Sequence, residues 1–163
     1  MDSLLITARD VATVLSEVGF DVFMDKMIEA LETAFQDYAS CATRVKQRAG
    51  FVFGDGVLEW MPVSERDRVT IKTVGYSPRN PVLRGLPTIV STICTFDANT
   101  GHLVAMADGN LLTAIRTGAA SAIATRALAS ATSDSVGLVG CGCQAVTQLH
   151  ALSRILDIRK VYV

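Results

Sequence analysis

Apolar residues recur at helical spacing in several stretches of the chain and at strand spacing in several others. Val11, Val14, Leu15 and Val18 mark a first helix, with Thr7 as its N-cap, Asp10 three residues on as a reciprocal partner, and Gly19 as its end. Met24, Met27, Ile28, Leu31, Phe35 and Tyr38 stripe a second helix from about Asp21 to Tyr38, while Asp25, Glu29, Glu32 and Asp37 lie off that stripe. Leu4-Leu5-Ile6 reads as a short strand ahead of both. From Arg44 to Ala107 the pattern changes to short β-rich runs. Phe51–Phe53, Val57–Met61, Val69–Val74, Thr88–Phe96 and Leu103–Met106 read as strands, with turns at Gly54-Asp55-Gly56 and Asn99-Thr100-Gly101. The expectation is an antiparallel sheet packed on the first helices. A third helix is expected from about Thr113 to Leu128, and its run Gly118-Ala-Ala-Ser-Ala122 lets another backbone approach closely.

Ala129 to Ser135 is a short polar linker and a candidate domain boundary. Val136 to Val139 then reads as a buried parallel strand, Gly140-Cys-Gly142-x-x-Ala145 as a tight turn, and Val146, Leu149, Leu152 and Ile155/Leu156 as the stripe of a further helix. Lys160 to Val163 reads as a second strand, which completes a βαβ order. In such a unit Gly140 allows the sharp bend, Gly142 lets the backbone approach a pyrophosphate, and Ala145 permits close packing of helix on strand. The phosphates would meet the N–H groups at the helix start. The competing reading is a tight turn that binds nothing. An acidic residue that clamps the ribose is due about twenty residues after the glycines. The sequence stops at Val163, where that residue falls due, so NAD and NADP are both open.

Composition narrows the class. The chain has 163 residues, is 50% apolar and carries a net charge of -1, as an ordinary globular domain does. A near-neutral balance gives no reason to expect a nucleic-acid partner. No apolar run reaches the length of a membrane span, and the N-terminus lacks a basic, then apolar, leader. The expected location is cytoplasmic, with no membrane partner. The four cysteines, Cys41, Cys94, Cys141 and Cys143, are expected as reduced thiols. No second Cys/His pair has metal-ligand spacing beside Cys141-x-Cys143, so no metal site is expected. His102 and His150 read as turn or surface histidines.

Four charged residues sit in or beside apolar segments: Arg48 before Phe51, Glu59 beside Trp60, Lys72 inside Val69–Val74, and Arg116 in the first turn of the third helix. Burying a lone charge is costly, so each is solvated or paired. Any one alone reads as a solvated face. Together they suit an amino acid: Arg116 and nearby helix N–H groups for its carboxylate, Lys72 and Arg48 for added positive potential, and Glu59 for its ammonium group or a water.

These residues lie in stretches that resemble the ornithine cyclodeaminase and mu-crystallin family: Val57-LEWMP, Ile71-KTVGYSPRNP, Arg84-GLPT, Asp108-GNLLTAIRTGAASAIATRALA and Val136-GLVGCGCQA. The resemblance covers essentially the whole chain. It implies an α/β protein: an N-terminal α+β substrate-binding and dimerisation domain over 1–132, then the first βαβ unit of an NAD(P)-binding Rossmann domain over 133–163. Arg48, Lys72 and Arg116 match positions that hold the substrate carboxylate, and Lys72 and Glu59 match the catalytic pocket. Thr117, Gly140, Gly142, Cys143, Gln144 and Ala145 match the cofactor side. The implied activity is conversion of L-ornithine to L-proline, or L-lysine to L-pipecolate, with ammonia release through an imine, using NAD or NADP. The implied partners are a small amino acid and a second copy of the chain. Other members imply alternatives: a mu-crystallin-like ketimine reductase that binds small ligands and NADPH, or an alanine or opine-type dehydrogenase. The family's proton-transferring Asp lies well beyond the glycine turn. The chain is therefore expected to be the front half of a longer protein, inactive by itself.

Overall fold

The computed structural model describes residues 2–163 and holds two compact units. The first comprises the residues up to Ala12 together with Asp37–Leu111; the second comprises Thr13–Gln36 and Leu112–Val163.

The first unit is built on a seven-stranded sheet. Its strands are β1 (Leu4–Ile6), β2 (Thr43–Val45), β3 (Ala49–Phe53), β4 (Gly56–Glu65), β5 (Arg68–Tyr76), β6 (Ile89–Asp97) and β7 (Leu103–Asp108). The order is β1-β7-β6-β5-β4-β2, with β3 paired to β4. All neighbours are antiparallel except β1, which runs parallel to β7. The antiparallel expectation therefore holds for the meander β3 to β7. Pro62 does not end β4. It pairs with Ile71 inside the strand, and its carbonyl accepts from Lys46 N–H at 3.2 Å, so the missing donor leaves the carbonyl side of the ladder intact. A short helix α3 (Asn80–Arg84) joins β5 to β6, with Pro81 in its first turn and Gly85 as its left-handed cap.

Alternation along the strands divides the sheet into two faces. Val57, Glu59 and Met61 of β4 share one face with Lys72 and Val74 of β5 and Ser91 and Ile93 of β6. Phe51, Phe53, Leu58, Trp60, Val90, Met106 and Leu5 share the other. On that second face the rings of Phe51 and Trp60 lie 5.5 Å apart, yet Phe51 and Phe53 are each 61% exposed. Leu5, Leu58, Val90 and Met106 are exposed as well.

Helix α1 (Ala8–Val18) begins as its capping pattern predicts: Thr7 N–H donates to Asp10 Oδ2 at 2.7 Å, and Asp10 N–H donates to Thr7 Oγ1 at 3.3 Å. These bonds from Thr7 hold the Asp10 carboxyl below its usual range.

The second unit contains most of α2 (Phe20–Ala39) and α4 (Asn110–Leu128), together with α5 (Cys143–Ser153) and the parallel pair β8 (Ser135–Gly137) and β9 (Lys160–Tyr162). Met24, Ile28, Ile115, Ala119, Ala122 and Ala151 are buried. Gly118 of α4 lies against α5: a Cβ there would stand 2.4 Å from the carbonyl oxygen of Thr147. The small-residue run thus serves a close helix contact. Off the apolar stripe of α2, Asp25 accepts two bonds from the Arg154 guanidinium, at 2.8 and 2.7 Å, and Glu32 pairs with Arg126. The bond from Arg154 holds the Asp25 carboxyl low and raises the guanidinium in turn. His150 is half-buried, its ring 4.6 Å from that of Phe20, so it packs inside this unit rather than lying on the surface. Its Nε2 lies 3.2 Å from Asp21 Oδ1 but is not aligned for a hydrogen bond.

The βαβ order follows the sequence, but the first strand is not buried. Ser135 and Gly137 are exposed, Val136 is half-buried and Val139 is fully exposed. Among the described residues β8 has one strand neighbour, β9, and such a pair cannot enclose its own faces.

Candidate functional site

In the first unit, antiparallel register brings three of the expected charges together. Glu59 stands opposite Val74, and Lys72 stands opposite Met61. Glu59 and Lys72 are therefore diagonal neighbours on one face of adjacent strands, with Cα atoms about 7–8 Å apart. Arg48 directly precedes β3, and its Nη1 lies 3.5 Å from Glu59 Oε2. The Glu59 side chain is 29% exposed and Lys72 is half-buried, so this carboxylate and this ammonium are partly removed from water. Gly50, next to Arg48 in the chain, lets β3 close on β4: a Cβ there would lie 2.4 Å from Leu58 O and 2.9 Å from Glu59 Cα. The result is a surface of two cations and one carboxylate on a rigid sheet, suited to a zwitterion.

A polar network that the sequence reading missed holds the end of this sheet. Asp108 Oδ1 accepts from Asn110 N–H at 3.1 Å, and Asp108 Oδ2 accepts from the Asn110 side-chain amide at 3.0 Å. Asn110 Oδ1 accepts from Ser91 N–H at 2.7 Å, and Ser91 Oγ donates to Thr73 O at 2.9 Å. Ser91 is buried. The signal was present as Asp108-Gly-Asn110, since an Asp side chain commonly accepts from the backbone two residues on. The network starts α4 at Asn110 rather than at Thr113. Arg116 therefore lies in the second turn, past the N–H groups that an α-helix leaves open at its start.

In the second unit, Arg116 is exposed on α4, and Thr117 Oγ1 donates to Thr113 O at 2.7 Å. That hydroxyl proton is spent on its own helix. The glycine turn has the form the sequence predicts. Gly140 has φ +103, a conformation that side chains rarely adopt, and Gly142 is the N-cap of α5 in an extended conformation. A Cβ built on either glycine meets nothing within 4 Å. No side chain caps α5 and no acidic residue lies in its first turn, so the positive end of the helix has no negative group of its own there. Ala145 N–H donates to Gly142 O at 2.9 Å as the helix begins, and Gln144 Oε1 is buried without a hydrogen-bond partner. Open space, an uncapped helix start and an acceptor lacking a donor fit the pyrophosphate and hydroxyls of a dinucleotide. Gly140, Gly142, Cys143, Gln144 and Ala145 are the residues that would hold it.

A mixed sheet carrying a cluster of two cations and one carboxylate, followed in sequence by the opening βαβ unit of a nucleotide fold, defines an α/β protein of a recognisable class. The chain belongs to the ornithine cyclodeaminase/mu-crystallin family, whose model matches residues 8–163. It is 42% identical to the L-lysine cyclodeaminase of Streptomyces rapamycinicus, over 100% of this chain and 49% of that protein. A lysine cyclodeaminase solved for recognition of L-lysine, L-ornithine and L-2,4-diaminobutyric acid superposes with a TM-score of 0.94 at 46% identity, covering 99% of this chain and 48% of that one. An archaeal alanine dehydrogenase dimer with bound NAD superposes with a TM-score of 0.88 at 35% identity, over 99% and 48%. The chain spans about half the length of the curated relatives it matches, 49% and 48% for the first two. Among the described residues no helix is long and apolar enough to cross a membrane.

Proposed function

We propose that this chain contributes the substrate-binding part, over 1–132, and the start of the cofactor fold, over 133–163, of a nicotinamide-dependent enzyme of amino-acid metabolism. The activity proposed is cyclodeamination: L-ornithine to L-proline or L-lysine to L-pipecolate, with ammonia released. The observation that carries this reading is the cluster of half-buried Glu59 and Lys72 with exposed Arg48 on one sheet face. Lys72 and Arg48 attract the α-carboxylate. Glu59 receives an ammonium group or orients the water that takes its proton. Fixing Cα on a rigid sheet converts binding energy into alignment, which is the protein's main task in cofactor chemistry. A bound nicotinamide supplies the hydride acceptor and donor. Thr117 and the glycine turn are assigned to its phosphate side, with NAD or NADP as the cofactor.

Gly142 gives a direct test. Its φ of -77 suits any residue, and nothing lies within 4 Å of an added Cβ. Gly142→Val should therefore fold, at a cost of about 1 kcal/mol for the poorer N-cap, while its side chain fills the pyrophosphate space. Loss of NAD binding by calorimetry, with the thermal melt lowered by only about 2–4 °C, is the expected result. Undiminished binding would remove the turn from the cofactor site.

The exposed face around Phe51, Phe53, Leu58 and Met106 is assigned to a second copy of the chain, because contiguous apolar patches on this scale mark contact surfaces. Sedimentation should find a dimer that Phe51→Glu dissociates. A monomer at every concentration would reject this.

A further inference from the structure

Ser91, on β6, is 2% exposed and is held on three sides. Thr92–Asp108 is the last pair that β6 makes with β7, so the Ser91 N–H falls one step past the end of that ladder. Asn110 Oδ1 accepts it there at 2.7 Å, and Gly109 N–H donates to Ser91 O at 2.8 Å. Toward β5, the Ser91 hydroxyl donates to Thr73 O at 2.9 Å. A Cβ on Gly109 would stand 2.6 Å from that hydroxyl oxygen and 3.1 Å from Ser91 C, so the turn lies directly on Ser91. Strand pairing alone needs none of this, since β5 and β6 stay in register from Arg68–Asp97 to Tyr76–Ile89.

The hydroxyl's acceptor is the carbonyl of the residue that follows Lys72. Ser91 stands opposite Val74 and so shares the face that carries Lys72. Ser91 and Lys72 are diagonal neighbours on the floor of the charge cluster. A lysine stem is long and flexible, so the resting place of its ammonium depends on the backbone it grows from and the surface it lies on. We propose that Ser91 is a positioning residue: its hydroxyl, held in place by Gly109 and Asn110, fixes the part of β5 that carries Lys72 and so aims the Lys72 ammonium at the substrate carboxylate. Ser91 is buried, so it acts through Lys72 and not on the substrate. This rests on the carboxylate role given to Lys72 above. The competing account is a hydroxyl that only satisfies the Thr73 carbonyl and steadies the sheet.

The test is a double-mutant cycle on the whole chain, with binding of L-ornithine or L-lysine read by calorimetry. Ser91→Ala removes the hydroxyl and adds no atom, so the fold should persist. It should weaken binding about threefold to tenfold, the net worth of one hydrogen bond. In the Lys72→Met background the same change should alter binding by no more than about twofold, because the group it positions is gone. A loss of equal size in both backgrounds overturns the proposal and leaves Ser91 a structural residue. Undiminished binding by Ser91→Ala also overturns it.

Lys72 can be read without a ligand as well. Acetic anhydride labels lysine amines, and peptide mapping by mass spectrometry gives the rate at each one. In Ser91→Ala, half-buried Lys72 should label at least about threefold faster as its strand loosens. Lys46, exposed in the same unit, should keep its rate. An unchanged ratio of the two rates overturns the positioning role. Failure of the parent chain to bind either amino acid would reject the carboxylate reading and the aim assigned to Lys72 with it. The labelling ratio would then still decide whether Ser91 fixes Lys72.

Discussion

Gly118→Ala should lower the melting temperature by about 4–8 °C, at 2–4 °C per kcal/mol for a chain of this size. Helix propensity alone argues for the opposite sign. Replacing an interior helical glycine by alanine ordinarily favours the helix by about 1 kcal/mol. Against this, the new Cβ would sit 2.4 Å from Thr147 O and 2.8 Å from Thr147 C. Both are backbone atoms of α5, so no side chain can swing aside. The helices must separate, and overpacking of this kind costs typically 1–3 kcal/mol and sometimes more. With the contact this short, a net loss of about 2 kcal/mol is expected once propensity has offset part of the cost. A thermal melt decides the matter. An unchanged or higher midpoint would mean that α4 and α5 can move apart freely.

Lys72→Met should weaken binding of the amino acid by about tenfold to a hundredfold, since a hydrogen bond to a charged group contributes about 1.5–3 kcal/mol. Methionine keeps an unbranched apolar stem on the half-buried sheet face, so stability should change little. The register fixes which residues feel the loss: Met61 and Ile93 flank position 72, and Glu59 lies diagonal to it. Removing the ammonium leaves Arg48 as the cation beside Glu59 in this cluster. In the active protein the change should appear as a raised KM for L-ornithine or L-lysine. Unaltered KM would take Lys72 out of the carboxylate site.

Much of this architecture was legible in the chain because local pattern and tertiary need agreed. The alternation in β4, β5 and β6 and the Thr7/Asp10 cap are cases where one residue type answers both. The stripe on α2 was half right. Met24 and Ile28 are buried, but Phe35 and Tyr38 are exposed, because periodicity states which residues share a face and not how far the covering layer extends. Two elements were too short to register: β2 has three residues, and α3 hides in a Pro-rich turn. The start of α4 was misplaced because Thr113 resembles a cap, whereas the bonds are made by Asp108 and Asn110. At the site, residue types revealed Arg48, Glu59 and Lys72 singly, and only the strand register showed that they share a face. The ion pairs of α2 could not have been foreseen, since nothing local marks partners so distant.

That distance bears on how the protein is made. Arg154 emerges 129 residues after Asp25, the carboxylate it holds. At a synthesis rate of about 5–20 residues per second, the interval is on the order of ten seconds. Neither compact unit is a continuous stretch of chain, so α2 is complete long before α4 and α5 exist. Met24 and Ile28, buried in the finished fold, are made well before α4 and α5, the later helices of their unit. The second unit can close fully only after its last helix has been made.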